Sequence, residues 1–116
     1  MEQDPQEVEV FRTDIEVAAV GARPLLVETP VGKLALVRRD VRIVAIDAWC
    51  PHLDGPLWEG TTAADEIACP WHGWRFSLTT GLCTWAPRGD ADEAAETQMR
   101  VLATHAVDGR VVVELR

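Results

Sequence analysis

The chain has no tyrosine, two phenylalanines and only three histidines among its 116 residues. Aromatic packing therefore falls to five tryptophans, and imidazole chemistry must run on a short supply. Positive charge is scarce too: 11 lysines and arginines stand against 19 acids, a formal net charge of −8. A nucleic-acid binder needs a basic surface to neutralise phosphates, so that class is excluded. The acidic balance instead suits a positively charged protein partner. No apolar run approaches the ~20 residues of a membrane span, which excludes an integral membrane protein. Met1-Glu2-Gln3-Asp4-Pro5 is acidic and polar, with neither a secretory apolar region nor a twin arginine, and the expected compartment is cytoplasmic. Three cysteines, an odd number without an export signal, argue against a disulfide framework.

What is present begins with a core. Apolar residues make up 47% of the chain, enough for one folded domain over residues 1–116. Val8 to Phe11 alternates as an edge strand does, and residues 13–22 are ambiguous up to a turn at Gly21. Pro24 to Glu28 reads as a strand, followed by the turn Thr29-Pro30-Val31-Gly32. Lys33 to Arg38 and Val41 to Asp47 form a hairpin about Arg39-Asp40. Glu66 to Cys69, Arg75 to Ser77 and Leu82 to Trp85 are short strands, the last two joined through Leu78-Thr79-Thr80-Gly81. Asp90 to Met99, acidic and alanine-rich, is expected as an exposed loop with a possible helix. Arg100 to Val107 and Arg110 to Leu115 make a final hairpin around Asp108-Gly109. The pattern predicts an all-β sandwich or small barrel with a small β subdomain, residues 47–86, inserted between its strands.

That inserted stretch carries the chemistry. It reads Cys50-Pro51-His52, then sixteen residues, then Cys69-Pro70-Trp71-His72. Two thiolates and two imidazoles arrive as matched pairs on separated segments, a donor set that suits zinc or an iron–sulfur centre. Gly55 and Gly73 stand where a side chain would crowd the metal or the opposing loop, or where a turn alone needs glycine. Pro51 and Pro70 cannot donate hydrogen bonds; they stiffen the loops and shield the centre, while Pro56 serves only its turn. Trp49, Trp71, Trp74 and Trp85 either sheathe the metal or fill the core. Trp49 and Trp74 read as core, and Trp71 as partly exposed between ligands. Cys83 reads as a buried small hydrophobe on a strand, and His105 as structural or solvated.

Cys-x-His, this spacer and Cys-x-x-His-Gly resemble the Rieske [2Fe–2S] signature, with flanks Leu53-Asp54-Gly55-Pro56-Leu57 and Gly73-Trp74-Arg75-Phe76 in agreement. The likeness is specific over residues 47–86 and nearest to the small Rieske-type ferredoxins of multicomponent oxygenases. It implies the antiparallel Rieske fold and one [2Fe–2S] cluster per chain, with Cys50 and Cys69 on one iron and His52 and His72 on the other, near the surface. Four thiolates leave a diferric core dianionic and two thiolates leave it neutral, so histidine ligation raises the potential. High-potential relatives add a serine two positions and a tyrosine four positions after the second histidine, and a disulfide between the cluster loops. Here those places hold Trp74 and Phe76, and the loops offer no extra cysteine pair. The expected potential is at the low end of the Rieske range, about −150 mV.

Three functions compete. The resemblance favours a one-electron carrier between a flavin-dependent NAD(P)H reductase and a terminal non-haem iron oxygenase, a monomer or weak oligomer without catalysis of its own. The alternatives are the small Rieske-like subunit of an assimilatory nitrite reductase and a structural Cys2His2 zinc domain, whose cysteine pairs are normally closer. A catalytic oxygenase subunit is excluded, because mononuclear iron needs two further histidines and a carboxylate, and only His105 remains. Partner encounter is expected at the tip bearing His52 and His72, steered by Asp54, Glu59, Asp65 and Glu66.

Overall fold

Strands β3 (Gly32–Arg39) and β4 (Arg42–Asp47) form the wall on which the molecule is built. Each carries four consecutive buried apolar residues, Leu34-Ala35-Leu36-Val37 and Ile43-Val44-Ala45-Ile46. Successive side chains of a strand point to opposite faces, so an unbroken apolar run means a sheet buried on both sides. The two sets separate accordingly. Leu34, Leu36, Ile43 and Ala45 pack with Val20, Val111 and Val113 in one core. Ala35, Val37, Val44 and Ile46 pack with Cys50, Leu57, Ile67, Cys69, Trp74 and Phe76 in the other. One face of the same hairpin thus supports the main sheet and the other supports the inserted subdomain.

In this computed structural model, which describes residues 9–52 and 54–115, the fold is antiparallel and mostly strand. β1 (Val10–Glu16), β2 (Leu25–Thr29), β9 (Val101–Val107) and β10 (Arg110–Glu114) complete a six-stranded sheet in the order β1-β10-β9-β4-β3-β2. A second sheet runs β5 (Thr61–Ala63), β6 (Glu66–Ala68), β7 (Arg75–Ser77) and β8 (Cys83–Trp85), each strand beside its chain neighbour. The all-β class, the inserted small sheet and the three turn-coded hairpins match the sequence expectation. A 3-10 turn at Arg88–Asp90 and helix α1 (Ala91–Ala95) occupy the acidic stretch expected as a loop with a possible helix.

The differences are instructive. β1 runs through residues 13–16 that local pattern left ambiguous, because it is ordered by pairing with β10, Val10 opposite Glu114; Val8 lies outside the described residues. The β3–β4 turn is Asp40-Val41, one residue later than expected, with Arg39 opposite Arg42. Asp40 takes φ 60°, a left-handed conformation that aspartate tolerates better than most residues. β5 was not anticipated: Thr61–Ala63 is too short to show alternation and exists through its pairing with β6. Among the described residues no helix is long and apolar enough to cross a membrane.

Candidate metal centre

Two loops of the same construction hold the four motif residues. In the first, the Cys50 N–H donates to the Gly55 carbonyl (2.6 Å) and the Asp54 N–H donates back to the Cys50 carbonyl (2.8 Å). In the second, the Cys69 N–H donates to the Trp74 carbonyl (2.8 Å) and the Gly73 N–H to the Cys69 carbonyl (3.0 Å). Each cysteine thus closes a ring with the fourth and fifth residues after it. The fourth residue is left-handed in both, Asp54 at φ 59° and Gly73 at φ 74°. The proline after each cysteine costs no hydrogen bond in this pattern, and both Pro51 and Pro70 lie exposed on the outer rim. The first loop hangs from the end of β4, where the Asp47 carboxylate accepts from the Arg100 backbone N–H (2.8 Å) and from its Nε (2.7 Å). The second hangs from the end of β6.

The loops bring the ligand types together. Cys50 and Cys69 are fully buried, and their sulfurs and a ring nitrogen of His72 lie within 4.8 Å of one another. His52 stands beside this group: its ring is edge-on to His72 with centroids 5.0 Å apart. It stacks on the indole of Trp74 at 3.7 Å and 11°. Its Nε2 turns away toward Glu93 Oε1, 2.8 Å distant. The Nδ1 of His52 and both ring nitrogens of His72 are buried without a hydrogen-bond partner. A buried polar atom left unsatisfied costs about 1–3 kcal/mol, so an orphaned ring nitrogen on each histidine signals a further group for it to face. Gly55 points to the same space, since a Cβ there would stand 2.7 Å from Cys69 Sγ. Two soft thiolates, two imidazoles and a cradle kept clear by glycine fit a [2Fe–2S] centre.

The surrounding residues divide by burial. Trp74 and Phe76 are fully buried in the core that contains both cysteines, and the Trp74 Nε1–H donates to Asp90 Oδ2 at 3.1 Å. The indole donor therefore serves a carboxylate. Trp71 is 63% exposed and edge-on to His72. Trp49, expected in the core, is 43% exposed instead; it follows the end of β4 and bridges to Pro56, between the buried Ala48 and Cys50. Gly73 has room for a methyl, 3.6 Å from Trp85, so its positive φ is what requires glycine.

The acidic groups are arranged differently from the sequence expectation. Asp54 and Glu59 are exposed near the first loop. Asp65 is bound by Arg39 Nε and the Thr79 hydroxyl, which hold its carboxyl below the usual range. Asp65 and Glu66 sit at the end of β6 opposite Cys69, so they do not belong to the tip. The carboxylates at the site are Asp90 and Glu93, which sequence reasoning missed. Their signal, an acid-rich helix start after Pro87, marks a local structure without naming its target. Cys83 is half-buried rather than fully buried; its free thiol donates to the Trp85 carbonyl (3.3 Å), and burial raises its pKa. His105 faces Glu114 at 3.3 Å on the β9–β10 hairpin, away from the ligand loops.

Comparison with known proteins agrees with this geometry. The chain is similar to the oxygenase component of 3-ketosteroid-9-alpha-monooxygenase from Rhodococcus rhodochrous, 51% identical over 48 residues, which are 41% of this chain and 11% of that protein. The chain spans about a tenth of the length of the first curated relatives it matches. In fold it is similar to the Sphingomonas yanoikuyae B1 ferredoxin, with a TM-score of 0.77 and 24% identity over 93% of this chain and 100% of that one. It is likewise similar to a chain in the complex of reduced oxygenase and oxidised ferredoxin of carbazole 1,9a-dioxygenase, with a TM-score of 0.75 and 23% identity over 90% of this chain and 92% of that one. The family description "Rieske [2Fe-2S] domain" matches residues 2–106, and such a domain carries one [2Fe–2S] cluster. The chain belongs to the Rieske [2Fe–2S] domain family.

Proposed function

We propose that this chain is a one-electron carrier that takes electrons from a flavin-dependent NAD(P)H reductase and delivers them to a terminal non-haem iron oxygenase. In this reading residues 1–116 are one Rieske domain, with residues 47–86 as its cluster-binding part. Cys50 and Cys69 hold one iron, and His52 and His72 hold the other. A cluster so ligated supplies storage of one electron at a higher potential than an all-thiolate one. The observation that carries the reading is the group Cys50, Cys69 and His72 within 4.8 Å, with the partnerless Nδ1 of His52 beside it. The likeness in fold to the Sphingomonas yanoikuyae B1 ferredoxin supports the carrier role.

The protein's own contribution is shape and shielding. Burying both sulfurs keeps water from the thiolate side. Pro51, Pro70 and Trp71, next to the histidines in the two loops, are exposed, and Trp71 stands edge-on to His72. Exposed apolar side chains of that kind suit a small contact that forms and releases quickly, as a carrier between two partners requires.

Anaerobically purified protein tests the reading. It should contain about two irons and two labile sulfides per chain. Dithionite should reduce it by one electron, and it should reoxidise when mixed with the oxygenase. Stoichiometric zinc in iron-replete preparations would remove the cluster and the carrier function together.

A further inference from the structure

The acidic segment after the small sheet does more than cover surface. Asp90 and Glu93 lie three residues apart, a spacing that places both side chains on one face of a helical turn. Asp90 Oδ2 accepts from the Trp74 Nε1–H at 3.1 Å. Trp74 stacks on His52 at 3.7 Å, and Glu93 Oε1 stands 2.8 Å from His52 Nε2. The two carboxylates thus grip a stacked indole–imidazole pair from its outer edge. The inner edge of the same imidazole, Nδ1, is buried and has no partner.

We infer that Glu93 is a positioning residue for His52. A carboxylate 2.8 Å from Nε2 favours the tautomer with the proton on that atom, which leaves the lone pair on Nδ1, on the buried side of the ring. The opposite tautomer would bury a donor without an acceptor and set a lone pair against a carboxylate, so it is disfavoured twice. Asp90 contributes one step further out, by fixing the ring on which His52 lies. The segment also sets a negative charge against one ligand of the redox centre, which opposes addition of an electron. His72 has no such carboxylate at either nitrogen among the described residues. The two histidines are therefore inequivalent.

This inference rests on the proposed cluster, and the experiment separates the two. Glu93→Gln, Glu93→Ala and, as a control, Glu96→Gln are purified with the unmodified protein. Glu96 is exposed and follows on the same segment, so its substitution removes one charge without touching His52. Absence of a two-iron cluster from the unmodified protein would remove the reading on which the inference depends. With the cluster present, protein-film voltammetry should show a higher midpoint in both Glu93 variants, by more than Glu96→Gln produces. Electron spin-echo spectra of the reduced protein should show altered histidine nitrogen coupling in the Glu93 variants alone. A midpoint and spectrum unchanged from the unmodified protein, or a shift equalled by Glu96→Gln, overturns the inference. Should a Glu93 variant come out iron-poor, far-UV circular dichroism decides. A native β spectrum with lost iron supports a role in seating His52, and an unfolded chain overturns it in favour of a purely structural contact.

Discussion

A methyl group on Gly55 would stand 2.7 Å from Cys69 Sγ, on the opposite ligand loop, and 3.3 Å from the Trp71 ring. The two loops approach so closely that the backbone of one forms part of the other's cysteine pocket. Gly55→Ala should accordingly lower iron content sharply while the β fold persists. Gly73→Ala is the contrast. Its methyl has space, but φ is +74°, a conformation costing roughly 1–2 kcal/mol for an L-residue. It should load a cluster and melt lower, by about 4–8 °C per kcal/mol for a domain near this size. Iron analysis and thermal melts of the two variants distinguish crowding from strain.

Replacing any of Cys50, His52, Cys69 or His72 should abolish the visible spectrum of the normal cluster, whereas Cys83→Ser should keep it. Cys83 lies on β8, outside the sulfur–imidazole group. Burial raises its thiol pKa, so less thiolate is present at neutral pH than for a free cysteine. Alkylation of Cys83 should therefore be slow at pH 7 and accelerate as pH rises. Mass spectrometry after timed iodoacetamide treatment gives the rate.

Phe76 is fully buried in the core that contains both cysteines, and no hydroxyl stands in its place. The midpoint should lie near the low end of the Rieske range, about −150 mV. Phe76→Tyr should raise it by about 40 mV if the added hydroxyl bonds a cysteine sulfur, at roughly 1 kcal/mol per hydrogen bond for one electron. A midpoint well above zero in the unmodified protein would exclude an oxygenase carrier of this kind.

Asp65 ties the small sheet to the end of β3 through Arg39. The hydrogen bond from Arg39, then that from Thr79, lower its folded-state pKa. A lowered pKa adds stability that is fully present above the unfolded value and is lost as pH falls through the folded one. Asp65→Asn should destabilise the protein at pH 7 by about 0.2–1 kcal/mol, the range for a partly exposed pair. The difference should vanish in acid, below the folded-state pKa. Urea unfolding at pH 7 and in the acid range measures both.

Reduction by the reductase should slow as salt increases. Exposed Asp54, Glu59 and Asp92 and the site carboxylate Glu93 give the ligand end of the molecule a negative field, and such steering is screened within about 10 Å at 0.1 M salt. Stopped-flow rates across ionic strength check this, and a flat profile removes steering from the account.

The four motif residues and most hairpins were legible because their signals are local. A Cys-x-His or Cys-x-x-His spacing sets two donors on one tight loop, and Asp108-Gly109 or Thr29-Pro30-Val31-Gly32 codes a turn within a few residues. The continuous apolar runs of β3 and β4 likewise belong to sequence alone, though not the fact that one face meets the main sheet and the other the ligand loops. What only tertiary structure decided are the contacts between distant segments. Glu16 lies in a strand because Arg110 pairs with it. Trp49 stays exposed between the buried Ala48 and Cys50, and Asp65 is spent on Arg39 rather than on a partner. Glu93 reaches His52 only because the chain folds back after the small sheet. An acidic side chain on a short helix has the same local pattern whether it faces water or a ligand, so its partner is fixed by packing and not by its neighbours in sequence.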